Sequence, residues 1–174
     1  NDAISAFLIK PVKPSALHDT LATVMAGNAA SVPIRSTGTG IDHELGARHP
    51  LRILLAEDNP VNQKLALRLL ERMGYRADVA GDGLEAIAAL ERSVYDLVLM
   101  DVQMPELDGL EATRRIRTRW PGDTGPRIVA MTANAMQGDR DLCLAAGMDD
   151  YLTKPIRVER LVEALTLARV RKDR

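Results

Sequence analysis

The sequence predicts an α/β protein: a doubly wound, five-stranded parallel sheet with helices on both faces. Two patterns and one composition carry that prediction. Short apolar runs alternate five times with segments of helical periodicity, the order that builds a parallel sheet. The runs are apolar without alternation, as strands covered on both faces are. Hydrophobic residues make up 46% of the 174 residues and charged residues 27%, ordinary for a folded globular chain and too apolar for a disordered one.

The first run is Ile53-Leu54-Leu55-Ala56. Pro60 opens a helix with Leu65, Leu69 and Met73 four apart, stopped by Gly74. This spacing turns Leu65 and Leu69 toward the sheet and leaves Val61 and Leu70 as apolar surface near Asp58. Ala77–Ala80 is a weaker second strand. Gly81-Asp82-Gly83 turns into a helix carrying Leu84, Ile87 and Ala88. Leu97–Met100 is the third strand, and Leu110 to Arg117 the third helix. A Pro/Gly loop over Trp120–Pro126 leads to a fourth strand, Ile128–Met131. Asp139–Ala146 is a helix ended by Gly147. Tyr151-Leu152-Thr153 is the fifth strand. A last helix runs from Val158 to about Val170, with Leu161, Ala164, Leu165 and Ala168 on one face.

Several function classes are excluded early. With 23 Lys+Arg against 24 Asp+Glu, the net charge is −1, which leaves no electrostatic footprint for nucleic acid or an anionic membrane. Aromatic residues are 3%, too few for a base-stacking surface. No apolar run approaches the ~18 residues of a spanning helix. A single cysteine, Cys143, excludes a disulfide framework and a multi-cysteine zinc site and reads as a small core residue. His18, His43 and His49 lack metal-ligand spacing and read as solvated. Arg114, Arg115, Arg117 and Arg119 read as a solvated helix face.

In such sheets ligands sit outside the carboxyl ends of the strands. Glu57 and Asp58 follow the first strand, Asp101 the third, Thr132 the fourth and Lys154 the fifth. Acids at strand ends commonly cap the next helix, which accounts for Asp58. It does not account for Asp101, which a loop containing Met104, Pro105 and Gly109 follows. Clustered carboxylates repel one another and call for a cation; oxygen donors suit magnesium. A carboxylate beside that ion can attack a phosphoryl donor, with a lysine and a hydroxyl to stabilise the transferring oxygens. Asp101, leaving a central strand, is the candidate nucleophile.

Leu55-Ala56-Glu57-Asp58-Asn59-Pro60, Met100-Asp101-Val102-Gln103-Met104-Pro105 with Asp108-Gly109, Met131-Thr132-Ala133-Asn134, and Leu152-Thr153-Lys154-Pro155 stand in this order. The set resembles the receiver domain of response regulators, of the kind found at the C-terminal end of hybrid sensor histidine kinases. The resemblance covers about 51–170 and implies a flavodoxin-like fold. It implies Asp101 as phosphoacceptor, with Lys154 and Thr132 completing the catalytic set. It assigns magnesium to Asp58, Asp101 and the Gln103 carbonyl, with Glu57 acting through water. Thr132 and Tyr151 become switch residues, and Gln103 and Asn134 tune dephosphorylation. The Lys154–Pro155 bond is expected to be cis. The implied donor is phosphohistidine on a histidine kinase dimerisation domain or a histidine phosphotransfer domain, without nucleic acid or membrane contact. The implied location is cytoplasmic, including the cytoplasmic part of a membrane-bound sensor. The chain itself would catalyse only its own phosphorylation and dephosphorylation, within a parent histidine kinase, a transferase.

Two rivals lack residues they need. A haloacid-dehalogenase-type phosphatase requires a second aspartate two positions after the first, where this chain has Gln103. A nucleotide-dependent kinase requires a Gly-rich phosphate loop, and none is present. A pseudo-receiver acting only as a protein-interaction module is the remaining alternative, and the intact acidic set argues against it.

The head of the chain repeats its end. Phe7-Leu8-Ile9-Lys10-Pro11 with Leu17 and Leu21 matches Tyr151-Leu152-Thr153-Lys154-Pro155 with Leu161 and Leu165 in register. Residues 1–26 are therefore expected to be the last strand and helix of a preceding receiver-like domain. A Gly/Ser/Pro-rich linker is expected over 27–50, the receiver over 51–170 and a tail over 171–174. Asn1 is not an initiator methionine, and the chain is expected to be part of a longer protein.

Overall fold

The computed structural model describes residues 42–133 and 137–171. The remnant expected over 1–26, the linker as far as residue 41, Asn134 and the tail from Lys172 lie outside the described residues.

Five strands form one parallel sheet in the order β2-β1-β3-β4-β5. They are β1 (Ile53–Ala56), β2 (Ala77–Ala80), β3 (Leu97–Asp101), β4 (Arg127–Thr132) and β5 (Asp150–Thr153). After a single helical turn at Leu45–Arg48, the helices are α1 (Pro60–Arg72), α2 (Gly83–Arg92), α3 (Gly109–Arg119), α4 (Gln137–Ala145) and α5 (Val158–Leu167). Register pairs Ile53 with both Ala77 and Leu97, and Leu97 with Arg127, so the carboxyl ends of β1, β3 and β4 reach one edge together.

Strand parity divides the core. Ile53, Leu55, Leu97, Leu99, Val129, Met131 and Leu152 face α1 and α5. Leu54, Ala56, Val98, Met100, Ile128 and Ala130 face α2, α3 and α4. Both faces of β1 and β3 are buried, which is why their sequences do not alternate. Three helix starts, those of α1, α2 and α3, carry a local signal. Asn59 accepts from Val61 N–H at 2.9 Å ahead of Pro60. Asp82 accepts from Glu85 N–H and Asp108 from Glu111 N–H, both at 2.8 Å. Gly74 after α1 has φ +83°, a conformation that a side chain would strain.

Four expectations are corrected. On α1 the sheet-facing residues are Ala66 and Leu70, followed by Met73; Leu70 is fully buried, whereas Leu65 is 48% exposed and Val61 72%. The four-residue spacing was right, but the stripe lies one position further on, because Leu65 and Leu69 sit beside the face rather than at its centre. α5 ends at Leu167, short of Val170. Arg117 is not part of a solvated face: it donates to the carbonyls of Gly147 and Pro126 and pairs with Asp149 at 2.6 Å.

The fourth concerns the ends of the domain. Residues 42–50, expected as linker, pack against the end of α1 and the turn after it: Gly46 N–H donates to Met73 O at 2.8 Å and Tyr75 OH to His49 O at 2.8 Å. His49, expected in solvent, has Nε2 2.8 Å from Ala168 O. Arg171, expected in a tail, donates its N–H to buried Asp96 at 2.5 Å, and Asp96 also accepts from Arg52 N–H at 2.7 Å. Composition marks 27–50 as loop; only distant partners make part of it structure.

Tyr95, just before β3, donates to Asp78 Oδ2 on edge strand β2 at 2.6 Å. Burial, then this hydrogen bond and the Asp78 charge, push its hydroxyl from 10.0 up to about 12. A raised acid holds its proton longer in the folded state. Its stability contribution is therefore full below pH about 10, the unfolded value, and is lost as pH rises to about 12. The phenolate absorbance that develops near pH 12 is expected to lose one tyrosine's amplitude in Tyr95→Phe. Loss of amplitude near pH 10 instead means that the Asp78 bond is not made in solution.

Candidate functional site

The strand ends open into a cleft of about 330 Å³ lined by Glu57, Asp58, Asp101, Gln103, Thr132 and Lys154 among others. Each arrives there because its strand stops. Glu57 and Asp58 follow β1, Asp101 is the last residue of β3, Thr132 the last of β4, and Lys154 follows β5. Six of the eight residues singled out in the sequence thus meet. Tyr151 lies beside the cleft on β5, half-buried, with the Arg140 guanidinium 5.6 Å from its ring centre. Asn134 lies outside the described residues.

Lys154 is the hub. Its ammonium donates to Glu57 Oε2 and Asp101 Oδ2, each at 2.6 Å. The two carboxylates are 1% and 5% exposed, so the lysine supplies charge that water cannot. Burial works against the charged lysine, but the hydrogen bonds to Asp101 and Glu57 hold its pKa above the usual value. Burial is also the largest influence on Asp101 and pushes its carboxyl above the ordinary range. Hydrogen bonds from Lys154 and Gln103 N–H pull it down, and the Glu57 charge pushes it up again. The Lys154–Pro155 bond is cis, as expected. The Lys154 N–H also donates to Thr132 O at 2.7 Å, tying the lysine's backbone to the end of β4.

One oxygen from each of Glu57, Asp58 and Asp101 can be chosen so that all lie within 4.8 Å of one another. Three carboxylates against one ammonium leave excess negative charge. Asp58 is exposed to the cleft, and Asn59 rather than Asp58 caps α1. An all-oxygen donor set open to solvent fits a hard divalent cation such as magnesium. Cys143 also lines the cleft, and burial pushes its thiol up, away from reactivity.

Three contributors were not singled out in the sequence. Asn62 donates its side-chain amide to Glu57 Oε1 and Gln63 donates to Glu57 O, both at 2.7 Å. An amide at a helix start reads as a solvated side chain until the fold brings an acid beneath it. Gly109 begins α3 against β3; a Cβ there would stand 2.0 Å from Asp101 O, so only glycine permits this approach. The Asp108-Gly109 pair was visible as a motif, but its reason was not.

Comparison with known proteins places these features. Residues 53–166 match the family described as response regulator receiver domain. Hybrid signal transduction histidine kinase H of Dictyostelium discoideum is 43% identical over 145 residues, covering 81% of this chain and 10% of that protein. Sensor protein GacS of Pseudomonas syringae pv. syringae is 37% identical over 168 residues, covering 95% of this chain and 18% of that protein. The chain thus spans a tenth to a fifth of the length of these two relatives. Among solved structures, the receiver domain of sensor histidine kinase PA1611 from Pseudomonas aeruginosa PAO1 carries a magnesium ion coordinated in its active site cleft. It is 47% identical, with a TM-score of 0.59, covering 67% of this chain and 94% of that one. The receiver domain of Ssk1 from Saccharomyces cerevisiae, in complex with the histidine phosphotransfer protein Ypd1, is 31% identical. Its TM-score is 0.63, covering 67% of this chain and 86% of that one.

Proposed function

The chain belongs to the response regulator receiver family, and from that membership we propose that Asp101 accepts a phosphoryl group from a phosphohistidine on a partner domain. The observation that carries this reading is the buried Asp101 carboxylate held by Lys154 at the mouth of a three-carboxylate cleft. An Asp101 oxygen attacks phosphorus, the phosphorus–nitrogen bond of the donor breaks, and the imidazole departs with the electron pair. Lys154, already within hydrogen-bonding distance of Asp101, remains beside the developing negative charge. Thr132, at the end of β4, supplies a hydroxyl to the same cleft.

Magnesium would be held by Asp58, Asp101 and the Gln103 carbonyl, with Glu57 nearby, and would offset the carboxylate repulsion and the charge of the phosphoryl oxygens. The phosphorylated state is read out through Thr132 and Tyr151 on the face built by α4, β5 and α5, with Gln103 and Asn134 setting its lifetime. A cytoplasmic location and a parent hybrid histidine kinase are parts of the same proposal. Beryllofluoride binding tests it: binding that requires magnesium and is lost in Asp101→Asn is expected. No binding at saturating magnesium would leave protein contact as the role.

The donor is a helical phosphotransfer domain or the dimerisation domain of a histidine kinase. The surface offered to it is the outer side of α1, where Val61 and Leu65 are exposed beside Lys64 and Arg68. Leu65→Asp is expected to slow transfer from the protein donor about tenfold or more, as loss of a central apolar contact does. Labelling by acetyl phosphate should be unchanged. Equal loss with both donors would overturn this surface. Leu70, fully buried, is unsuitable for the test.

A further inference from the structure

We infer that Asn62 and Gln63 are positioning residues for the acidic pair, holding Glu57 from the first turn of α1 and thereby setting the affinity of the cleft for magnesium. The inference rests on the function proposed above and extends it to residues that do not touch the reacting atoms.

Glu57 is clamped from both sides. Lys154 takes Oε2 at 2.6 Å, while Asn62 Nδ2 donates to Oε1 at 2.7 Å. The backbone N–H of Asn59 adds a third bond to Oε1 at 3.3 Å, and Gln63 Nε2 fixes the Glu57 carbonyl at 2.7 Å. The helix start makes this possible. Asn59 caps α1 by accepting from the N–H groups of Val61, at 2.9 Å, and Asn62, at 3.4 Å. The Asn62 side chain is thus free of capping and reaches back over the carboxylate that precedes the helix. Asn62, Glu57 and Lys154 line both the catalytic cleft and a neighbouring cavity of about 210 Å³ bounded by Leu65, Ala66, Met131 and Ile156.

The physical consequence concerns orientation. A glutamate has three side-chain torsions, and a carboxylate held by the lysine alone can rotate away from the cleft. The Asn62 amide removes that freedom without adding charge, and the Gln63 amide fixes the backbone from which the side chain extends. Asp58 needs no such hold, because its shorter side chain is already exposed to the cleft. Partners one layer out from a metal's ligands change metal affinity by about 10–100-fold when removed; Asn62 acts on Glu57, which would reach the ion through water, so the lower end of that range applies.

The test is Asn62→Leu, which keeps the side chain's branched heavy-atom outline, raises helix propensity and removes the donor. Calorimetric titration of the full chain with magnesium is expected to show about tenfold weaker binding, the lower end of that range, with Tm lowered only as far as the loss of one hydrogen bond lowers it. With acetyl phosphate as donor, the magnesium concentration for half-maximal labelling should rise by the same factor, while the rate at saturating magnesium stays as in the wild type. Asn62→Gln, which retains an amide, should recover part of the affinity. Wild-type affinity in Asn62→Leu overturns the inference. So does a loss of affinity that follows a fall in Tm and is not recovered in Asn62→Gln. A wild-type chain that binds no magnesium instead overturns the proposed function on which the inference rests.

Discussion

Lys154→Met is expected to destabilise the domain by about 3 kcal/mol at pH 7, the lower end of the range for breaking a buried ion pair. The lower end applies because the lysine side chain keeps 21% of its surface exposed. The loss comes from what stays behind. Glu57 and Asp101, almost wholly buried, lose the ammonium that both share at 2.6 Å. Asp101 already lies above its ordinary value through burial, with the lysine pulling against it. Without the lysine the Asp101 carboxyl rises further in the folded state. For groups raised in this way, stability is full below the unfolded values, about 4, and is lost as pH climbs through the folded ones. The deficit relative to wild type should therefore be largest at neutral pH and shrink toward pH ~4. Urea unfolding at the two pH values measures it. A deficit of equal size at both would show that the lysine contributes packing rather than charge.

Asp101→Asn is expected to abolish the acid-labile phosphoryl label, from a phosphohistidine donor and from acetyl phosphate alike. The amide keeps the shape, but its single oxygen can replace only one of the two acceptors that Lys154 Nζ and Gln103 N–H now use, Oδ2 and Oδ1. What it lacks is a charged nucleophilic oxygen. The fold should survive, since β3 is held by paired strands on both sides and by Leu97, Val98, Leu99 and Met100, all fully buried. Far-UV circular dichroism should be unchanged while labelling falls to background. Label retained in this variant would move the phosphoacceptor to another residue and overturn the assignment of the cleft.

Much of this site was legible in the residues. Glu57, Asp58, Asp101, Thr132 and Lys154 were recognisable because each follows an apolar run, and parallel strands deliver their ends to one edge whatever the helices between them do. The helix boundaries were close for local reasons: Pro60 at one start, the Gly81-Asp82-Gly83 turn at another, Gly74 and Gly147 at stops. Illegible were choices settled by distant partners. Leu70 rather than Leu65 is buried because α1 rests on β1 and β3 with Ala66 and Leu70 inward. Arg117 is drawn in by carbonyls across loops that lie far along the chain. The Gly46–His49 segment is structure only because Met73, Tyr75 and Ala168 stand opposite it.

The order of strands and helices, the apolar strands, and the types of group at the strand ends were thus determined by the sequence alone, since periodicity, capping and composition act over a few residues. The tertiary structure decided which oxygen meets which proton. Lys154 reaches Glu57 and Asp101 across 97 and 53 residues of chain. Asn62 finds its acid only when the start of α1 folds back over the end of β1. Those distances of 2.6–2.7 Å depend on register and helix placement. Burial then gives the bonds their weight, because an ionised carboxylate removed from water must be paired or costs several kcal/mol, on the order of a domain's whole stability.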